Sequence, residues 1–527
     1  MFAVPFFLPQ LHWFSLIAAI PFFYIIVDTP KKIVKYSVFF SMSFYLAVFT
    51  WIFWMYPMEH IGVTPMESLF IVIAGWIGFS IIMTFVFLIL PLGLKFIGSK
   101  LIAKHPKAVY LLPILAASLY VILEWVQSWF LTGLPWTKLA VAQYRNLFFI
   151  QSMSVFGTYF PAFLIILINA SIAVYILHRR NKTNFAHFTK RSVNCLLIAC
   201  IIVYAVNFGF GFLRLHFYER NHQYETITAQ IVQGNIPSYE RWIRYTPEQI
   251  LRIYEDLTEW YTTPETTISV WPETAVPRAF TRNKYDENNN NGGLYNRLRS
   301  VAKNNDITLI SGVFYRETID DTTHTYNAIM AFDANYEFIP PYIKRQLVPF
   351  GEFVPFENVL TRIFPFIENI ALFGSSLTAG DSSRLMYVNS VNYGGLVCFD
   401  SIFARLARRS VKDGADILII STNDSWFRDS RAIYQHNAQA VLRAVQNNRY
   451  VVRSANTGIS SFISSTGRIL QQTEVFERVV ITQEVGLVQG LTIYTRFGEI
   501  ILYLAWIFVA VSVVLPRIVV IISKADK

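Results

Sequence analysis

The sequence predicts an α-helical membrane bundle joined to an extracytoplasmic, layered α/β domain. Three observations carry that prediction. The 527 residues are 54% hydrophobic and 16% aromatic but only 15% charged, too apolar for an ordinary soluble protein. The apolar runs are interrupted once, by about 280 residues of ordinary globular composition in which strand-like and helix-like stretches alternate. The basic residues between the runs concentrate in every second short loop.

Runs long enough to cross a bilayer occupy 6–27, 36–57, 68–91, 108–130, 155–177 and 193–215, with one more at about 498–516. Helices are expected there, because unpaired backbone groups are too costly in lipid. Lys31, Lys32 and Lys35 follow the first run, and Lys95, Lys100, Lys104 and Lys107 the third. Arg179, Arg180, Lys182, Lys190 and Arg191 follow the fifth, whereas the opposite short loops hold only Lys138 and Arg145. The positive-inside rule then places the N-terminus and the globular part outside, and the tail "RIVVIISKADK" inside. The first run lacks a basic flank and a small-residue cleavage site, so no cleaved signal peptide is expected. The expected division is 1–215 for the membrane helices, 216–497 for the globular domain, and 498–527 for the last helix and its cytoplasmic tail. Glu124, in "VILEWVQSWF", is an ionisable residue in an apolar run and is expected to face protein rather than lipid.

The formal charge of +10 raises the question of a nucleic-acid partner. The basic residues sit in short clusters between apolar runs, and no stretch interleaves them with stacking residues, so none is expected. In the globular part "ETITAQIVQ", "TTISVWP", "DITLISGVF", "YNAIMAF", "GGLVCF" and "DILIIST" read as strands. "GLYNRLRSVAKNN" and "AIYQHNAQAVLRAVQNN" have helical periodicity, and "DENNNNGG" (286–293) reads as a polar surface loop.

The chain has three cysteines. Cys195 and Cys200 lie in "VNCLLIACIIVYAV" and read as small buried hydrophobes of a membrane helix. Cys398 has no obvious disulfide partner and is a candidate nucleophile if other reactive groups accompany it. Three segments supply them. "VWPETAVP" presents Glu273 between two prolines, "YIKRQLVPFGEFVP" supplies Lys344 and Glu352, and "GGLVCF" carries Cys398 at its end. Singly, each has a plain structural reading as solvated surface or as a core cysteine. Together they meet the needs of acyl chemistry: a thiol, a base to ionise it, and a fixed cation for the tetrahedral oxyanion. Such a cation also lowers a thiol's pKa. The N–H of Phe399, next after the nucleophile, is a second candidate oxyanion donor. His324 and His436 have no distinctive context, and no HxxxH or CxxC spacing occurs, so neither a metal nor a cofactor is expected.

The order "WPET", "KRQLVPFGEFVP", "VCFDSIF" and "STNDSW" resembles the nitrilase superfamily. With six runs before the domain and one after, and with "LTGLPW" (131–136) and "VQGNIP" (232–237), the chain resembles its membrane-embedded branch, the bacterial apolipoprotein N-acyltransferases. The resemblance implies an αββα sandwich with a Glu273–Lys344–Cys398 triad. It implies a multi-pass protein of the bacterial inner membrane, with the catalytic domain on the periplasmic side. Cys398 would take an acyl chain from a phospholipid, typically phosphatidylethanolamine, as a thioester. The α-amine of diacylglyceryl-cysteine at an apolipoprotein N-terminus would then receive it. Glu273 would shuttle protons and Lys344 stabilise the oxyanion; Glu352 matches a second functional carboxylate and Trp242 a functional tryptophan. A monomer is expected.

The chain departs from the family pattern in two places. Phe399-Asp400 replaces the usual Tyr-Glu, keeping the ring without its hydroxyl and a carboxylate one methylene shorter, with an anchoring role expected for Asp400. The family commonly has eight spans where seven are counted, the run at 6–27 being similar to its second. The greasy segment 356–376, with Phe364, Phe366, Ile367, Leu372 and Phe373, reads equally as an interfacial lid or a covered core segment. Two other functions compete. A membrane-tethered amidase hydrolysing a small amide would use the same triad, but one span would suffice to anchor it. A scaffold without catalysis need not have kept Glu273, Lys344 and Cys398 together.

Overall fold

The computed structural model describes residues 1–527 other than 59–61, 99–109, 132, 181–189, 222–223, 283–289, 358–361, 363–376 and 526–527. The chain divides into two compact units: residues 1–52, 73–221 and 497–527 form one, and residues 53–72 and 222–496 the other.

Among the described residues, five helices are long and apolar enough to cross a membrane: Pro9–Asp28, Pro30–Met55, Pro65–Gly98, Phe160–Arg179 and Asn194–Phe217. The other two apolar runs fall on shorter apolar helices, Leu112–Gln127 and Ile500–Val514, the latter continuing to Ala525. In the first unit, helix Phe160–Arg179 packs against Leu112–Gln127, Ile20–Asp28 and Lys190–Asn221. Two polar residues buried in this unit are tied to backbone groups. Asn169 donates to the carbonyls of Ser15 at 2.9 Å and Ile165 at 2.7 Å, and accepts from the N–H of Ala19 at 2.9 Å. Glu124 is buried against protein, accepting from the N–H of Leu139 at 2.8 Å.

The second unit is built on two sheets. In chain order the strands are β1 (Glu225–Gln233), β2 (Thr266–Trp271), β3 (Phe280–Arg282), β4 (Thr308–Ile319), β5 (Thr322–Phe332) and β6 (Tyr342–Ile343). β7 (Leu385–Val388), β8 (Val391–Val397), β9 (Ile417–Thr422), β10 (Val451–Ala455), β11 (Ser461–Ile463), β12 (Ile469–Gln472) and β13 (Val479–Leu487) follow. One sheet has the order β13-β1-β2-β4-β5-β6, with β3 added beside β4; the other runs β12-β11-β10-β9-β8-β7. The central pairs β1–β2, β2–β4, β8–β9 and β9–β10 and the added pair β3–β4 are parallel, and the other pairs are antiparallel. Five of the six strands in the central pairs, β1, β2, β4, β8 and β9, were readable from short runs rich in β-branched and apolar residues. β10 in the centre and the short or peripheral β3, β6, β7, β11, β12 and β13 were not anticipated.

Side chains of the first sheet alternate between two cores, as a two-residue period requires. Ile231, Val270, Ile310 and Ile329 face the second sheet and meet Val397, Ile419 and Val452 there. Their neighbours Val232, Trp271, Leu309 and Met330 face outward onto helices Pro247–Tyr261 and Asn290–Asn304. Helices Ala404–Lys412 and Arg431–Asn447 cover the second sheet, so the order of layers is α-β-β-α. Helix Asn290–Asn304 begins inside the polar stretch read as a loop, so 290–293 are helical; 286–289 lie outside the described residues.

The stretch "GGLVCF" is not a strand to its end. β8 stops at Val397, and Cys398 opens a 3₁₀ turn, Cys398–Ile402, with φ +46°. Its two glycines answer to packing. A Cβ on Gly395 would stand 2.5 Å from the Tyr342 ring, and one on Gly394 2.8 Å from the Ala415 Cβ.

Candidate active site

Glu273, Lys344, Glu352 and Cys398 come from three separate segments of the second unit and are brought to one place. Glu273 leaves the end of β2 through Pro272, and the next residue, Thr274, takes φ +57°, turning the chain sharply. The turn packs directly on β4. A Cβ on Gly312 would lie 2.5 Å from the Glu273 Cα and 2.7 Å from the Pro272 carbonyl oxygen, so only glycine lets this backbone in. The Glu273 carboxylate is buried; Oε1 accepts from Asn327 Nδ2 at 2.7 Å and Oε2 from the N–H of Asn423 at 2.8 Å.

Lys344 follows β6 and is 1% exposed. Its backbone is tied to β5 through the Asn327 carbonyl at 2.8 Å, and its carbonyl accepts from the N–H of Gly380 at 2.8 Å. Nζ lies 2.9 Å from Glu352 and 3.5 Å from Glu273 Oε1. Burial opposes the ammonium charge, but the Glu352 and Glu273 carboxylates outweigh it and hold the Lys344 pKa above its usual value. The lysine is therefore a permanent cation.

Glu352 is held at both oxygens. Oε1 accepts from Asn327 Nδ2 at 2.8 Å and from Lys344, and Oε2 from the N–H of Val348 at 2.9 Å. Asn327 thus donates to both carboxylates. Its place in "YNAIMAF", a polar residue facing inward in an apolar strand, was the signal that sequence reasoning passed over.

Burial pushes the Cys398 thiol well above its usual pKa, and the Glu273 charge adds to that. Lys344 pulls the other way, as expected of a nearby cation, yet it loses. The thiol rests protonated. Ionisation then needs a base, and burial raises the Glu273 pKa above the ordinary carboxylate value, against the pull of Lys344. A raised carboxylate pKa suits a group that must take a proton and give it back.

The other expected residues fall in different places. Asp400 is fully buried and ties the turn that carries Cys398 to the segment bearing Lys344: Oδ1 accepts from the N–H of Gln346 at 2.8 Å, and Oδ2 from the Tyr342 hydroxyl at 2.8 Å and the N–H of Val397 at 3.2 Å. The Phe399 ring is buried edge-on against Phe403, with centroids 5.2 Å apart. Trp242 lies in the short helix Arg241–Arg244, its side chain outside what the structure describes. Of the greasy segment, 358–361 and 363–376, with Phe364, Phe366, Ile367, Leu372 and Phe373, lie outside the described residues. His324 is partly buried beside Thr378 at 3.2 Å. His436 does have a distinctive context, against the sequence reading: it is buried and 3.2 Å from the Cys398 carbonyl oxygen.

Known proteins resemble this chain in both of its parts. Residues 228–489 match the carbon-nitrogen hydrolase family, and residues 1–171 match the apolipoprotein N-acyltransferase N-terminal domain. The chain is 31% identical over 401 residues to the apolipoprotein N-acyltransferase of Geobacter metallireducens, covering 76% of this chain and 73% of that one. It is 30% identical over 420 residues to the one from Vibrio vulnificus, covering 78% and 75%. For Rickettsia prowazekii the figures are 29% over 405 residues, covering 74% of each chain. With both domains matched in order, this chain belongs to the apolipoprotein N-acyltransferase family.

Proposed function

We propose that this chain moves an acyl chain from a membrane phospholipid, through a thioester on Cys398, to the α-amine of the diacylglyceryl-cysteine that begins an apolipoprotein. The observation that carries the reading is Lys344, held between two buried carboxylates and within electrostatic reach of the Cys398 thiol, in a chain of a family named for this transfer.

Glu273 takes the thiol proton; Oε2, with one donor, keeps a lone pair for it. The sulfur attacks the acyl ester carbonyl, and charge builds on its oxygen. Lys344 and the Phe399 N–H stabilise that oxyanion. Collapse breaks the ester C–O bond, and Glu273 returns its proton to the leaving lysophospholipid. In the second half-reaction Glu273 takes a proton from the incoming amine, which attacks the thioester; the thiolate leaves and is reprotonated. Glu352 and Asn327 hold Lys344 and Glu273 in register throughout. Phosphatidylethanolamine is the expected donor and the monomer the expected working unit.

Purified protein given phospholipid and a diacylglyceryl lipopeptide is expected to yield N-acylated peptide and lysophospholipid in equal amounts. Free fatty acid released rapidly without the lipopeptide would instead make water the acceptor and the chain a hydrolase. The loop charges support a periplasmic catalytic domain. External protease on intact spheroplasts is therefore expected to digest the 216–497 region; protection of that region, while a known periplasmic domain is cut, reverses the orientation.

A further inference from the structure

A second cluster of buried charge reaches Cys398 through its backbone. Asp424 is fully buried, and its Oδ2 accepts from Arg453 Nη2 at 2.7 Å. Its Oδ1 accepts from the Thr422 hydroxyl at 3.0 Å and lies 2.8 Å from His436 Nδ1. His436, on helix Arg431–Asn447, puts its other nitrogen 3.0 Å from the Ser401 Oγ and 3.2 Å from the Cys398 carbonyl oxygen. Ser401 in turn donates to that same carbonyl at 2.7 Å.

The ring is held from both sides. Nδ1 lies 2.8 Å from Asp424 Oδ1 and 3.3 Å from Arg453 Nη2, which itself donates to Asp424. Ser401 has one hydroxyl hydrogen. If it turned to His436 Nε2, its oxygen would face the Cys398 carbonyl at 2.7 Å with no hydrogen between them. With that hydrogen on the carbonyl, Nε2 faces two acceptors and carries a hydrogen of its own. Nε2 is then a donor to the Cys398 carbonyl.

The held atom matters because of what it controls. Cys398 has φ +46°, a conformation that a side chain with a Cβ rarely adopts and that neighbours must impose. Its N-terminal neighbour Val397 is fixed by Asp400, as described above. The C-terminal side of the residue is its carbonyl, and this is what His436 and Ser401 grip.

We propose that His436, held by Asp424, is a positioning residue that holds the Cys398 carbonyl, directly and through Ser401, and so aims the thiol at the acyl carbon. The inference rests on Cys398 being the nucleophile of the reaction proposed above. Its effect falls on the rate of acyl-enzyme formation at saturating phospholipid and not on KM, since neither His436 nor Ser401 is asked to bind lipid.

The test uses the full-length protein in detergent, with two readouts: acyl-enzyme formation from phospholipid, and alkylation of Cys398 by iodoacetamide followed on its own peptide. His436→Phe keeps the bulk and removes the ring's hydrogen bonds to Asp424, Ser401 and the Cys398 carbonyl. It is expected to slow acyl-enzyme formation about a hundredfold with KM within about twofold, and to slow alkylation as well. His436→Gln, which restores one amide donor, is expected to recover most of the loss. Ser401→Ala removes only the relay and is expected to cost about tenfold. A folded His436→Phe protein with both rates within about twofold of wild type overturns the inference. Should that variant not fold, an unchanged rate for Ser401→Ala overturns it instead. If wild type forms no acyl-enzyme while His436→Phe still slows alkylation, the positioning stands and the acyl-transfer reading fails.

Discussion

Replacing Cys398 with alanine is expected to abolish both acyl-enzyme formation and lipopeptide acylation, a loss on the order of 10⁵-fold or more. Every step proposed for this chain passes through a bond to that sulfur, and no second nucleophile is asked to substitute. Cys195 and Cys200 belong to the helix Lys190–Asn221 of the other unit. Folding is expected to survive, because the change deletes one atom that pays a solvation cost for ionising where it sits. Cys398→Ser tests a different point. A hydroxyl ionises far less readily than a thiol, and the environment already pushes the cysteine upward, so serine is expected to be nearly as inactive as alanine. Radiolabelled or fluorescent phospholipid, followed for transfer to protein and to peptide, measures both variants. Residual transfer by Cys398→Ala above about 1% of wild type would require another nucleophile.

Lys344 carries the second large effect. Lys344→Ala removes the cation that two buried carboxylates share and leaves Glu273 and Glu352 facing one another through Asn327 alone. One of them must then take up a proton, and the oxyanion loses its charged donor. The expected loss is about a thousandfold in acyl transfer, since a single oxyanion donor is typically worth a hundredfold or more. Removing one partner of a buried ion pair also costs roughly 3–5 kcal/mol of stability, so the alanine variant is expected to melt at a lower temperature. Lys344→Arg separates charge from geometry. Nζ sits in a closed space with carboxylate oxygens at 2.9 and 3.5 Å, shaped for a compact ammonium and not for a planar guanidinium. Arginine is therefore expected to be nearly as damaging as alanine to activity. Acyl transfer by Lys344→Arg within about threefold of wild type would take Lys344 out of the catalytic machinery.

What could be read in the sequence, and what could not, follows from how far each feature reaches along the chain. The parallel strands β1, β2, β8 and β9 announced themselves through short runs rich in β-branched and apolar residues. Glu273 and Cys398 were legible as candidates because each follows such a run at its end, and Lys344 and Glu352 because of the resemblance their shared motif bears. The conformation of Cys398 was not legible. "GGLVCF" looks like one strand, and nothing local says that the chain turns to φ +46° at its fifth residue; Asp400, His436 and Ser401 impose that from elsewhere.

The same limit hid the supporting polar groups. Asp424, His436 and Arg453 lie 12 and 17 residues apart in turn, on a 3₁₀ turn, a helix and a strand, so no spacing rule links them. Asn327 looked like an interruption in β5 and is instead the amide that joins two carboxylates. Such residues carry chemistry only once the sheets have assembled. The thiol's upward shift is likewise a property of assembly, since the cation next to it, taken alone, argues for the opposite sign.

The intact mass of purified protein incubated with a single defined phospholipid tests the central claim most directly. The account expects a mass gain equal to one acyl chain of that lipid, mapping to the Cys398 peptide. The adduct should be removed by hydroxylamine, as a thioester is, and discharged by a diacylglyceryl lipopeptide with formation of its N-acylated form. Lipopeptide acylation by wild type without an adduct at any time point, or with an adduct that maps to a residue other than Cys398, would contradict it.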